Sequence, residues 1–136
     1  MGVIFDTSVL VTLERGSHGL EALADGRENE PFGISVVTVS ELLHGVHRAD
    51  SEKRRLKRSA FVEKVIQTFP VYPFDLSAAR IYARVWANLA KKGTAIGAHD
   101  LMIASTAIAL GYSVVTADLR DFGKIKEAPV EKLILE

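Results

Sequence analysis

Ile96-Gly97-Ala98-His99-Asp100-Leu101-Met102-Ile103-Ala104-Ser105-Thr106-Ala107-Ile108-Ala109-Leu110 is the stretch that decides how this chain folds. Leu101, Met102, Ile103, Ala104, Ala107, Ile108, Ala109 and Leu110 cover every face of a helix over roughly 99–110, so that helix belongs inside the protein. Gly111 ends it. One acid, Asp100, sits in its first turn. A carboxylate entering the interior needs a partner, a hydrogen-bond network or a metal. The remaining sequence must supply what Asp100 faces.

Outward from this helix, strands and helices alternate. Tyr112-Ser113-Val114-Val115 reads as a strand closing at Thr116-Ala117-Asp118, and Leu119 to Phe122 as a single helical turn. Toward the N-terminus, Asp75-Leu76-Ser77 starts a helix with Ile81, Tyr82, Val85 and Leu89 on one face and Gly93 past its end. Val71-Tyr72-Pro73-Phe74 is a short strand whose proline suits a sheet edge. Residues 51–68 form a charged helix with Leu56, Phe61, Val65 and Ile66 on its apolar side, ended by Pro70. Val39, Leu42, Leu43 and Val46 give an amphipathic helix after a strand over 32–37 that stops at Thr38. Val3-Ile4-Phe5 is a buried strand ending at Asp6-Thr7-Ser8; Val9, Leu10 and Leu13 then fall at helical spacing up to Gly16. A more polar helix is expected over roughly 17–28, and a last strand over Leu133-Ile134-Leu135.

Such alternation implies an α/β fold, a parallel β-sheet covered by helices on both faces. The length, 136 residues, fits one domain spanning 1–136, and 48% hydrophobic residues suffice for a core. Lys plus Arg and Asp plus Glu are 17 each, which argues against gripping nucleic acid by bulk charge but leaves room for a local basic rim. With no cysteine there is no disulfide, zinc-thiolate site or thiol nucleophile. The opening Met1-Gly2-Val3-Ile4-Phe5 is too short for a signal peptide, and no apolar run is long enough to span a bilayer, so a soluble cytoplasmic protein is expected.

Four acids stand at strand-to-helix junctions: Asp6 after the first strand, Glu41 in the first helical turn after the second, Asp118 after the fourth, and Asp100 at the head of the buried helix. Each alone is better explained by capping. Asp6 and Asp118 suit N-cap or Asx-turn positions, Thr38-Val39-Ser40-Glu41 matches a capping box, and Asp100 suits a helix dipole. Together they read differently. In parallel sheets the ligand site lies beyond the carboxyl ends of the strands, and this topology sends all four there. Crowded carboxylates repel and raise one another's pKa unless a cation is present. Oxygen-only ligands favour Mg²⁺ or Mn²⁺, and the chemistry natural to such a site is attack of water on a phosphodiester.

Ile4-Phe5-Asp6-Thr7-Ser8, Val39-Ser40-Glu41-Leu42, Asp100-Leu101-Met102-Ile103-Ala104 and Val115-Thr116-Ala117-Asp118-Leu119-Arg120-Asp121-Phe122 resemble, in order and across nearly the whole chain, the PIN-domain nucleases, most closely the VapC-type toxins of toxin–antitoxin pairs. The resemblance implies a Mg²⁺- or Mn²⁺-dependent endoribonuclease acting on RNA, tRNA among the candidates. It also implies a small cognate antitoxin as inhibitor, and a homodimer. By position, Asp6, Glu41 and Asp100 match the family's first three acids as catalytic and metal-binding residues. The fourth falls on Asp118; many VapC-type members carry Asn there and a further Asp three residues on, which here is Asp121. Asp118, nearer the strand end, is the preferred choice. Thr116 and Ser8 match positions that hydrogen-bond the acids or their waters.

Other features read more plainly. The run Lys53, Arg54, Arg55, Lys57, Arg58 suits an RNA path or, better, a solvated helix face. Arg120, following Asp118 at the rim, is the preferred phosphate contact. Trp86 suits the core or a dimer interface better than base stacking, and His99 a rim position better than a general base. Leu42, Leu43 and Val46 suit core, or a surface for the antitoxin or a second subunit. A haloacid-dehalogenase-type phosphatase would need a second Asp where Ser8 stands. A receiver domain would need paired acids at the first strand and a lysine at the last. A nucleotide-binding module would need a Gly-rich phosphate loop. The rival from another class is a catalytically inactive PIN-like binding module; full retention of the acids argues against it.

Overall fold

The computed structural model describes residues 1–135. Its elements are β1 (Val3–Phe5), α1 (Thr7–Arg15), β2 (Phe32–Ser35), α2 (Val36–His47), α3 (Glu52–Thr68), β3 (Val71–Tyr72), α4 (Leu76–Lys91), α5 (Ala98–Leu110), β4 (Ser113–Thr116), α6 (Leu119–Phe122) and β5 (Val130–Lys132). The strands form one sheet in the order β3-β2-β1-β4-β5, and every pairing is parallel. Among the described residues, no helix is long and apolar enough to cross a membrane.

The sheet is buried on both faces, and strand periodicity divides its side chains between two cores. Val3, Phe5 and Val115 point into one core with Val9, Leu10, Leu13, Val62, Val65 and Phe69. Ile4 and Val114 point into the other with Val85, Leu89, Leu101, Ile103, Ala104, Ala107 and Phe122. In the first core Phe5, Phe32 and Phe69 meet edge to face with ring centroids 5.9–6.1 Å apart. The sequence leaves β1 first toward β2 and β3, then returns to add β4 and β5 on its other side. The connections therefore part beyond the carboxyl ends of β1 and β4, which is where ligands bind in such sheets.

Several expected boundaries shift for identifiable reasons. The second strand ends at Ser35 rather than near 37, because the Ser35 hydroxyl accepts from the Val37 N–H and starts α2 there. Thr38 then lies inside the helix, wholly buried, and the Thr38–Glu41 capping box does not form. The helix expected over 17–28 is only a 3₁₀ turn, Leu20–Leu23, anchored by those two leucines. The last strand is Val130–Lys132; Leu133 to Leu135 follow it without regular structure. Trp86 is not a core residue: it is 59% exposed at the end of a ladder with Tyr82 and Phe74. Leu42 and Val46 are core, as expected, and Leu43 packs at its margin.

Two glycines separate requirement from tolerance. A Cβ on Gly33 in β2 would stand 2.5 Å from the Tyr72 ring and 2.6 Å from the Pro70 carbonyl. A Cβ on Gly45 in α2 would meet nothing within 4 Å. Gly33→Ala is therefore expected to cost about 1–3 kcal/mol by overpacking. Gly45→Ala is expected to gain about 0.5–1 kcal/mol by helix propensity. Urea unfolding of both variants checks the opposite signs.

Candidate active site

Beyond the ends of β1 and β4 lies a cleft of about 590 Å³, lined by Asp6, Glu41, Asp100, Asp118 and Asp121 together with Thr7, Ser8, Arg120 and Lys124. The structure thus brings all four sequence-selected acids, and Asp121, to one cavity. It does not treat them alike.

Asp6 is 5% exposed. It stands at the N-cap position of α1, but its side chain makes no capping hydrogen bond. Instead Oδ2 accepts from Ser8 Oγ at 2.6 Å and from Thr116 Oγ1 at 2.9 Å. Ser8 Oγ in turn accepts from the Ala117 N–H, and Thr116 Oγ1 from the Asp118 N–H. The Asp6 N–H donates to the Val115 carbonyl. This network ties the first carboxylate to both strand ends. Burial pushes the Asp6 carboxyl above its ordinary value, and the two hydroxyls partly offset that by stabilising the anion.

Glu41 lies in the second turn of α2, not the first, because the helix begins at Val36. Thr7 Oγ1 donates to Glu41 Oε1 at 2.6 Å and lies 3.0 Å from Thr38 Oγ1. Thr7 therefore holds Glu41, a contact the sequence does not announce. Its one trace there is a hydroxyl directly after Asp6, at a helix start facing the next βα junction. His99 Nδ1 stands 3.4 Å from Glu41 Oε2, at the rim.

Asp100 opens α5 and is half-buried. Its carboxyl is pushed up to about 7, first by burial, then by a hydrogen bond shared with Asp121 and by the charges of Asp6, Asp121 and Glu41. That hydrogen bond places Asp121, not Asp118, directly against Asp100. Asp118 lines the same cleft but is paired with a cation. It caps α6 through the Arg120 N–H at 3.0 Å, and its carboxylate is gripped by the Arg120 guanidinium, with Nε 3.1 and 2.9 Å from its two oxygens and Nη2 2.6 Å from Oδ2. Arg120 holds the Asp118 carboxyl at about 2. Lys124 stands 3.7 Å from Asp121.

Among the described residues, no group of three or more acidic or histidine side chains stands close enough together to hold a metal ion. The acids share one cleft. The donor set is all oxygen and largely anionic, the set that hard divalent ions take. The residues fit Mg²⁺ or Mn²⁺ by chemistry, with Asp6 and Asp100 free of any basic partner among the described residues, Asp121 only loosely paired with Lys124 at 3.7 Å, and Glu41 3.4 Å from His99.

The basic run on α3 is mostly a solvated face. Arg54 pairs with Asp50 and Arg55 with Glu52. Arg54, Lys57 and Arg58, with Arg15, also line a second cleft of about 500 Å³ that shares Thr7 and Glu41 with the acidic one.

The profile of the PIN domain matches residues 3–128. The chain is 39% identical over 129 residues to Ribonuclease VapC1 of Rickettsia felis, covering 93% of this chain and 92% of that protein. It is 38% identical over 98 residues to the tRNA(fMet)-specific endonuclease VapC of Salmonella typhimurium, covering 72% of each. The DNA-bound VapBC of Salmonella typhimurium contains a chain that superposes with a TM-score of 0.83 at 30% identity, covering 97% of this chain and 98% of that one. Sequence, fold and the order of the acids agree: the chain belongs to the PIN domain family, among the VapC ribonucleases.

Proposed function

We propose that this protein is the toxin of a VapBC-type toxin–antitoxin pair, a Mg²⁺- or Mn²⁺-dependent endoribonuclease that hydrolyses RNA phosphodiester bonds and is restrained by a small cognate antitoxin. The observation that carries the reading is the cleft in which Asp6, Glu41, Asp100 and Asp121 face one another at the ends of β1 and β4. The Salmonella relative is named for a tRNA, which favours tRNA as the substrate class. Several neighbours were solved as toxin–antitoxin complexes, which favours a protein inhibitor. A homodimer and a cytoplasmic location belong to the same reading.

In this mechanism Asp6, Asp100, Glu41 and the fourth acid hold the ion. When bound, it neutralises phosphate charge and makes water a stronger nucleophile near neutral pH. The chain's own contribution is pre-organisation. Ser8 and Thr116 fix the Asp6 carboxylate before any ligand arrives, and Thr7 does the same for Glu41. Keeping these donors in place avoids reorganisation at the moment of reaction.

Asp6→Asn and Asp100→Asn are expected to abolish cleavage of cellular RNA while the fold survives; EDTA should do the same to the wild-type protein. Electrophoresis of RNA digests, with circular dichroism of the variants, checks both. Undiminished cleavage by both variants would sink the assigned site, whereas a wild-type protein that neither binds metal nor cuts RNA would favour an inactive binding module.

A pH dependence follows from Asp100. Its carboxyl titrates at about 7 in the folded chain and near 4 in an unfolded one. The folded state therefore binds this proton more tightly. The cost of ionising Asp100 is absent below about pH 4, grows as pH rises and is complete above about pH 7. Metal-free protein is expected to lose stability between pH 5 and pH 8, and Asp100→Asn to remove much of that loss. Urea midpoints in EDTA at both pH values test it; an identical pH dependence in the variant would contradict the assigned repulsion.

A further inference from the structure

Asp118 and Asp121 both follow β4 and both line the cleft, yet their surroundings assign them different work. Asp121 is hydrogen-bonded to Asp100, inside the carboxylate group. Asp118 receives the Arg120 N–H and the Nε–Nη2 edge of the Arg120 guanidinium. Its own N–H is held by Thr116 Oγ1, the hydroxyl that also donates to Asp6. An exposed ion pair usually contributes little, but a bidentate carboxylate anchored at a helix cap is the geometry in which such a pair does fix a side chain.

We infer that Asp118 is a positioning residue rather than a metal ligand, and that it holds Arg120 at the rim of the cleft as a contact for a backbone phosphate of the RNA. Three observations carry this. Asp118 has its charge matched by Arg120, so drawing a divalent ion onto it requires breaking that pair. Asp118 uses the Nε and Nη2 positions of Arg120, and among the described residues nothing engages Nη1, which leaves donors in the planar fork that suits phosphate oxygens. The Arg120 side chain is 88% exposed while lining the same cavity as Asp6 and Asp100, so an incoming anion meets it. The chain's net charge is zero, so a phosphodiester approaching a cleft of carboxylates gains nothing from bulk attraction. The unused N–H donors of a guanidinium fixed at the rim supply a local contact instead.

This inference rests on the nuclease reading, and the experiment separates the two. Mn²⁺ binding is measured by calorimetry on the wild-type protein and on Asp118→Asn, Asp121→Asn and Arg120→Gln. Binding of a fluorescein-labelled single-stranded RNA to the same proteins, each also carrying Asp100→Asn to prevent cleavage, is followed by anisotropy across salt concentrations. Asp118→Asn is expected to leave Mn²⁺ affinity within about twofold of wild type, whereas Asp121→Asn weakens it tenfold or more. Arg120→Gln is expected to weaken RNA binding several-fold and to reduce the slope of log affinity against log salt by about 0.7, the signature of one lost phosphate contact on a single strand. In steady-state cleavage, Asp118→Asn and Arg120→Gln should each raise KM more than they lower kcat. The double variant should be no worse than Arg120→Gln alone, because both act through one guanidinium. Loss of Mn²⁺ binding in Asp118→Asn would make it a ligand and overturn the inference. An unchanged salt slope in Arg120→Gln would overturn it too. Failure of the nuclease reading looks different: the wild-type protein itself would neither bind Mn²⁺ nor cut RNA.

Discussion

Repulsion between carboxylates is the constraint on which this structure turns. Asp6, Glu41, Asp100 and Asp121 face one cleft, and the charges of the other three raise the cost of ionising Asp100. Left to themselves such side chains would swing into solvent. They cannot, because three are anchored. Asp6 is buried and clasped by Ser8 and Thr116, Glu41 is clasped by Thr7, and Asp100 is carried by a helix whose neighbouring Leu101, Ile103 and Ala104 are locked in the core. Apolar burial on both faces of the sheet therefore sustains an electrostatic arrangement that is unfavourable in isolation. Stability spent at functional sites and recovered in the core is a common trade.

The surrounding hydroxyls show how the cost is contained. Ser8 and Thr116 are short side chains at or near strand ends, where each oxygen reaches the Asp6 carboxylate and a backbone N–H at once, while Thr7 joins Glu41 to Thr38. Among the described residues, no buried side-chain nitrogen or oxygen lacks a hydrogen-bond partner. A polar network of this kind is rigid only when every member is satisfied, and this one is.

Much of this was legible in the sequence. The all-round apolar character of 101–110, against the amphipathic stripe at Val39, Leu42, Leu43 and Val46, separated the central helix from the covering ones. The alternation of strands and helices gave the parallel sheet. What escaped was local hydrogen-bond competition. Ser35 could cap as well as Thr38, and only packing, which buries Thr38, decides between them. Leu20 and Leu23 anchor a turn that has too few apolar residues to extend into a helix. In the site, the gathering of Asp6, Glu41 and Asp100 followed from position alone. The contrast between Asp118 and Asp121 did not, because one is the N-cap and the other a member of the same single helical turn, and spacing carries no record of which one meets Arg120.

The contact between Thr116 and Asp6 spans 110 positions of sequence, and β1 lies between β2 and β4 in the sheet. A chain emerging from the ribosome N-terminus first therefore presents β1 with one open edge until β4, more than 100 residues later, has been made. The acidic cleft does not exist before then, since its last members arrive with β4 and α6. Assembly of the site is the closing event of folding. The topology thus ties the site to the whole domain: no N-terminal piece that lacks β4 and α6 contains the cleft's full set of acids.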